Sequence, residues 1–153
     1  MSEMSIVIPC HDRGENGPIW LEELFQTLKS QTYQDFDIVI SDQSKNDLIL
    51  DKCKEWSDIF DFTYIRYQGK VPCDNINTAL ENCEGRIVKM IFSDDIFTRD
   101  DALQKIYDAF AQENCKWLFT GYCETDDGKS FYNHKHPVWT KETVEGRNLL
   151  SSP

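Results

Sequence analysis

At 153 residues the chain fits one domain of ordinary size, able to bury about 70% of its unfolded surface without a disulfide or metal framework. Its formal charge of -11, from 27 acidic against 16 basic residues, argues against direct binding to nucleic acid or an anionic membrane, because such ligands meet long-range repulsion. An anionic small molecule would need a cation as a bridge.

Strand-like and helix-like periods alternate from the N-terminus. Ser5 to Pro9 is a short apolar run, and Pro18, suited to the first turn of a helix, opens an amphipathic stretch carrying Leu21, Leu24, Phe25 and Leu28. Phe36 to Ser41 reads as a second strand, Ile49 to Trp56 as a helix with Ile49, Cys53 and Trp56 on one face, and Phe62 to Tyr67 as a third strand. Ile76, Ala79, Leu80 and Cys83 form another helical stripe, with Gly85 as its expected C-terminal stop. Arg86 to Phe92 is the expected central strand. Thr98 and Asp101 resemble a capping box ahead of Leu103, Ile106, Tyr107 and Phe110, and Lys116 to Tyr122 reads as a fifth strand. Asp126-Asp127-Gly128 then has the chemistry of a turn between Tyr122 and Phe131, so an antiparallel hairpin is expected there.

This alternation implies right-handed βαβ units and an α/β fold, with a mainly parallel central sheet covered on both faces. Residues 1–153 read as a single domain, without internal repeat or linker. No apolar run approaches the ~20 residues of a membrane span, and the N-terminus carries no signal-peptide pattern, so no integral membrane segment and a cytoplasmic location are expected. Cys10, Cys53, Cys73, Cys83, Cys115 and Cys123 are scattered without a C-x-x-C pair, which points to reduced thiols rather than a disulfide framework or zinc site.

Asp94 and Asp95 stand where the apolar run Ile87, Val88, Met90, Ile91, Phe92 gives out, so a strand delivers adjacent carboxylates to a sheet edge. Hard cations such as Mg²⁺ or Mn²⁺ take carboxylate and phosphate oxygens, and ligands of open α/β sheets gather beyond the carboxyl ends of strands. Acidic residues in such a loop also commonly cap the following helix. Two further strand ends bear on the choice: IPCHDR brings His11 and Asp12, and ISDQSKND brings Asp42 and Asp47.

In SIVIPCHDR, LKSQTYQDFDIVISD, NINTALENCEGRIVKMI and FSDD, spread over nearly its whole length, the chain resembles the family 2 glycosyltransferases of the GT-A fold. The resemblance implies a Rossmann-like three-layer domain that binds a nucleotide-diphosphate sugar, with a UDP-sugar favoured, and uses Mn²⁺ or Mg²⁺. It implies inverting transfer to a glycan or glycolipid acceptor in surface polysaccharide or glycolipid synthesis. Carried over by position, Pro9, Cys10, His11 and Asp12 border the base pocket, and Asp42 and Gln43 meet the base. Asn77 lies near the donor, Asp94 serves the ribose and the metal, and Asp95 is the first-choice metal ligand. The chain departs from the pattern in having Phe92-Ser93 where a further carboxylate is common, Asp42-Gln43-Ser44-Lys45 where Asp-Asp-Gly-Ser is common, and His11 at a position usually aromatic. In the family the catalytic base lies well downstream of the metal motif. A donor-binding part is therefore expected, with base and acceptor surface beyond Pro153.

Other groups read more simply. His134 and His136 lack an evident third metal ligand and suit a polar segment before Pro137, while Asp126 and Asp127 suit a turn. Glu124 could reach the sugar, Arg66 or Lys70 could neutralise phosphate, and Trp117 and Trp139 read as packing residues. Two alternative functions are a receiver-like Mg-binding signalling module and a nucleotide-sugar binder without turnover. A receiver would need an acid after its third strand, which Tyr64 to Lys70 does not offer.

Overall fold

The computed structural model describes residues 2–113, 116–118, 120–125 and 132–134. The chain divides into two compact units, Met1–Asn114 and Cys115–Pro153. The first contains β1 (Met4–Cys10), α1 (Gly17–Lys29), β2 (Phe36–Asp42), α2 (Leu48–Glu55), β3 (Phe62–Arg66), α3 (Pro72–Glu81), β4 (Ile87–Met90) and α4 (Ala102–Glu113). The second contains β5 (Tyr122–Glu124) and β6 (Tyr132–His134).

The four strands of the first unit form a parallel sheet in the order β3-β2-β1-β4. β1 is paired on both edges, with Met4 opposite Phe36 on one side and Ile87 on the other. All seven of its residues are buried, as an unbroken apolar run in a doubly covered parallel strand should be. Alternation along the strands sends Val7, Val39 and Ile65 to the face where Ala79 of α3 packs. The opposite face carries Ile38 in register with Phe62, and Phe62 lies 5.3 Å from Phe25 of α1. Phe25 also meets Trp56 and Phe60, so one fully buried ring joins α1, β3 and the end of α2. Such aromatic contacts dominate core energetics, since each ring removes about 150–250 Å² from water. α4 is tied to the end of α1 through Gln31, whose side chain accepts from the Leu103 N–H at 3.0 Å and donates to the Arg99 carbonyl at 2.8 Å.

The parallel α/β architecture and the four helices agree with the sequence pattern, and the antiparallel β5–β6 pair matches the expected hairpin. Its turn residues lie outside the described residues. Several expectations are corrected. Arg86 to Phe92 is not central: β4 stands at the edge of the described sheet, with Val88, Met90 and Phe92 exposed. The fifth strand, expected over Lys116 to Tyr122, lies at Tyr122–Glu124 and pairs antiparallel with β6. Trp117, read as a packing residue, is 64% exposed. Thr98 caps no helix; α4 starts at Ala102, and the Asp101 carboxylate is taken by Arg99 at 2.7 and 2.9 Å and by Lys105. The order β3-β2-β1-β4 also excludes the receiver alternative, in which β3 would lie beside β1. Among the described residues the cysteines are free, and no helix is long and apolar enough to cross a membrane.

Gly85 does not end α3, which closes at Asn82. It lies against β1 instead, where its N–H donates to Ser5 Oγ at 2.9 Å and a Cβ would stand 2.5 Å from the Ser5 nitrogen. Backbone cannot yield there as a side chain could. Gly85→Ala should therefore destabilise the protein by about 1 to 3 kcal/mol, read as a lower urea midpoint. An unchanged midpoint would show that β1 relaxes away from this contact freely.

Candidate functional site

The strand order reverses direction at β1, which has β2 on one side and β4 on the other. The carboxyl ends of β1 and β4 therefore flank a topological switch point, where open α/β sheets form their ligand crevice.

The loop leaving β1 is held in an uncommon shape. Arg13, Gly14 and Glu15 adopt φ of 45, 69 and 76°, left-handed values that non-glycine residues rarely take and that need support from their surroundings. Asp12 supplies much of that support. Its carbonyl accepts from the Gly17 N–H at 2.8 Å, its N–H donates to Ser44 Oγ at 2.8 Å, and its carboxylate accepts from Asn46 Nδ2 at 2.6 Å. Gly17 is needed because a Cβ there would stand 2.7 Å from the His11 carbonyl oxygen. His11 is exposed, with Nδ1 accepting from the Arg13 N–H at 3.0 Å and lying 3.0 Å from the Asp12 carboxylate.

Beneath this loop sits a buried polar network. Asp42, at the end of β2, is 0% exposed; one carboxylate oxygen accepts from the Ser44 N–H at 2.8 Å and the other from the Tyr64 hydroxyl at 2.6 Å. Burial, then Asp42, pushes the Tyr64 hydroxyl pKa well above its ordinary value. Arg66 stands 3.7 Å from Asp42, stacks over the Tyr64 ring, and donates to the Ser44 and Asn46 carbonyls and to Asp47 Oδ1. From the other face of the sheet, buried Asn75 accepts from Ser41 Oγ at 2.6 Å and donates to the Cys10 carbonyl at 3.3 Å. Cys10 itself is enclosed, its thiol donating to the Ile8 carbonyl. Burial pushes that thiol's pKa well up, with Cys53, Asp42 and Asp94 adding to the effect.

Gln43 and the aspartate pair face outward. Gln43 Nε2 donates to the Gly69 carbonyl at 3.1 Å, beside a cavity of about 610 Å³ lined by Gln43, Lys45, Tyr64, Tyr67 and Lys70 among others. Asp94 and Asp95 occupy an exposed turn closed by the Asp95 N–H on the Phe92 carbonyl at 3.1 Å. Since α4 begins at Ala102, neither aspartate caps it. Asp95 has protein against one side, and this partial desolvation, followed by repulsion from Asp94, raises its pKa despite the opposing Phe92 hydrogen bond and Lys89. Two adjacent hard carboxylates whose repulsion Lys89 only partly offsets fit Mg²⁺ or Mn²⁺. No group of three or more metal-ligating side chains forms among the described residues.

The structure thus brings Pro9 to Asp12, Asp42 and Gln43 to adjacent strand ends, with Cys10 opposite Asp42 and the Gln43 N–H on the Cys10 carbonyl at 3.0 Å, and the effect of Asp94 on the Cys10 thiol marks the aspartate turn as close to them. Asn77 lies on the exposed side of α3, two positions from Asn75, the asparagine that reaches the strand ends. Ser44, Asn46, Tyr64 and Asn75 escaped sequence reasoning, and Arg66, read there as a phosphate partner, is engaged by the Ser44 and Asn46 carbonyls and Asp47. The Asn75–Ala79 spacing was the available signal, but an apolar-stripe rule passes over an amide. His134 lies in β6 and Glu124 in β5, while Asp126, Asp127, His136 and Trp139 lie outside the described residues.

A family model described as glycosyl transferase family 2 matches residues 5–151. TuaG of Bacillus subtilis (strain 168), assigned to teichuronic acid biosynthesis as a glycosyltransferase, is 24% identical over 121 residues, covering 78% of this chain and 46% of its own length. Among solved structures, S. aureus TarS 1-349 in complex with UDP superposes with a TM-score of 0.64 at 20% identity, over 73% of this chain and 33% of that one. The mannosyltransferase PcManGT of Pyrobaculum calidifontis, in complex with GDP-Man and Mn²⁺, gives 0.60 at 20% identity, over 72% of this chain and 33% of that one. These structures share the α/β fold with its parallel sheet. The chain spans between a third and a half of the length of these relatives.

The raised pKa of Asp95 has a stability consequence. The folded state binds its proton more tightly than the unfolded state does, so stability falls as pH rises through that window and the penalty is fully present at neutral pH. Asp95→Asn should raise the urea midpoint at neutral pH in EDTA, with the gain vanishing below the ordinary carboxylate pKa. A gain that grows on acidification would contradict this.

Proposed function

The chain belongs to glycosyl transferase family 2, and from that premise we propose that it is the donor-binding part of an enzyme transferring a sugar from a nucleotide diphosphate to a hydroxyl acceptor with inversion. The observation that carries the reading is the exposed Asp94-Asp95 turn, at the same sheet edge as the loop built on Asp12 and at the switch point.

The nucleotide lies along the crevice bordered by Pro9 to Asp12, Gln43 and Asp94, with Asp42 beneath. His11 is exposed at the loop and offers an imidazole face to the base. Asp94 accepts from a ribose hydroxyl and, with Asp95, holds Mn²⁺ or Mg²⁺ through hard oxygens. When bound, that ion supplies Lewis-acid stabilisation, worth several kcal/mol, of negative charge on the leaving diphosphate. Asp95 provides the direct ligand, because its partial desolvation and the repulsion from Asp94 make a cation most favourable there. Arg66 is spent on Asp47 and on two loop carbonyls. Asn77, on the exposed side of α3, borders the donor. The TarS complex with UDP supports a uridine nucleotide, and the PcManGT complex supports the use of Mn²⁺. TuaG supports an acceptor in surface polysaccharide or glycolipid synthesis.

The expected outcome of calorimetry with UDP is binding that weakens sharply when Mn²⁺ is replaced by EDTA. Asp95→Ala should abolish the metal-dependent part of the affinity. Asp94→Ala should cost about 1 to 3 kcal/mol, the range for a lost hydrogen bond to a charged group, while leaving the metal dependence measurable. Metal-independent binding of equal strength in the unaltered chain and in Asp95→Ala would overturn the assignment.

A further inference from the structure

We infer that Asn75 is a positioning residue for donor binding: its buried amide ties the first turn of α3 to the last residue of β1 and so fixes where the loop carrying His11 and Asp12 leaves the sheet. The inference rests on the nucleotide-binding reading above and extends it to a residue of α3.

α3 buries two residues one turn apart, Asn75 and Ala79. Ala79 meets Val7, Val39 and Ile65 as an apolar residue should, whereas Asn75, 5% exposed, carries an amide into the protein. A buried amide costs free energy unless it is hydrogen-bonded at both ends, and here it is. Oδ1 accepts from the buried Ser41 hydroxyl at 2.6 Å, and Nδ2 donates to the Cys10 carbonyl at 3.3 Å. One side chain thereby joins α3, β2 and β1. Packing alone would be served by an apolar side chain; the amide adds direction.

The Cys10 carbonyl is where these segments meet. It accepts from the Gln43 N–H at 3.0 Å as well as from Asn75, and it belongs to the last residue of β1 before the chain turns into the left-handed loop at Arg13 to Glu15. Farther along, Asp12 is held by its N–H on Ser44 Oγ and by its carboxylate, which accepts from Asn46 Nδ2. Those bonds tie one loop to another. The Asn75 bond ties the strand end to a helix that Ala79 packs on the sheet, which is a firmer reference.

The test compares the full chain with its Asn75→Leu and Ser41→Ala/Asn75→Leu variants, by UDP titration in Mn²⁺, urea unfolding and amide hydrogen exchange. Asn75→Leu orphans the buried Ser41 hydroxyl and should lower the urea midpoint, whereas the double variant removes that orphan and should restore most of it. Neither variant offers the Cys10 carbonyl a side-chain donor, so both should bind UDP roughly tenfold more weakly and keep their Mn²⁺ dependence. In the double variant the Gly17 amide, which closes the loop on the Asp12 carbonyl, should exchange faster while the β1–β2 ladder keeps its native rates. Recovery of UDP affinity and Gly17 protection along with the urea midpoint would reduce Asn75 to a stabilising contact and overturn the inference. A double variant no more stable than Asn75→Leu would overturn it too, by making the Cys10 bond a requirement of folding. If the unaltered chain binds no UDP, the donor reading fails, and Gly17 exchange in the double variant decides alone whether Asn75 positions the loop: acceleration supports it, and native exchange overturns it.

Discussion

Pairing of β1 on both edges is the constraint from which the rest of this structure follows. With β2 on one side and β4 on the other, Cys10 is held in register with Asp42, and the chain beyond Cys10 has to emerge between two further strand ends. Parallel strands that run buried on both faces cannot present polar groups along their length. Their chemistry is therefore confined to the carboxyl edge, where β1, β2, β3 and β4 all release their loops. α3 packing on one face and α1 with α2 on the other make that edge rigid enough to hold side chains in place.

Rigidity at the edge is bought by a set of polar groups with almost no solvent access. Asp42, Ser41, Ser44 and Asn75 are all buried, and each is hydrogen-bonded to a group on another segment. A network of this kind is costly when half made and stiff when complete, because each orphaned partner carries its full desolvation penalty. Here it supports backbone that the sequence alone disfavours: Arg13 and Glu15 stay in left-handed conformations because Asp12 is tethered to Ser44, Asn46 and Gly17.

The site thereby separates two uses of aspartate. Asp42 is enclosed and partnered, so its charge works on the protein. Asp94 and Asp95 are exposed on a turn, and repulsion between them contributes to the raised pKa of Asp95. In a chain with a net charge of -11, such a pair attracts a cation, and the proposed function gives that attraction a use in holding a nucleotide diphosphate.

Much of the architecture was legible in the sequence because it depends on local periodicity. Leu21, Leu24, Phe25 and Leu28 can share a buried face only as a helix, and the apolar runs at Ser5–Pro9 and Phe36–Ser41 are too short and too continuous for anything but covered strands. The exposed aspartates were legible too, since charge at the end of an apolar run has few places to go. What periodicity cannot encode is which strand neighbours which, so β4 at the edge of the described sheet, β5 paired with β6 and the close approach of Gly85 to Ser5 emerged only in three dimensions. The roles of Ser44, Tyr64, Arg66 and Asn75 belong to the same class. Each is an ordinary polar residue in its own segment and acquires its function only through a partner 20 to 65 positions away, such as Asn46 for Arg66 and Cys10 for Asn75. Sequence determined which residues could be buried or charged; tertiary structure decided which buried charge and which buried amide hold the loop, because hydrogen-bond satisfaction is settled by contacts between segments.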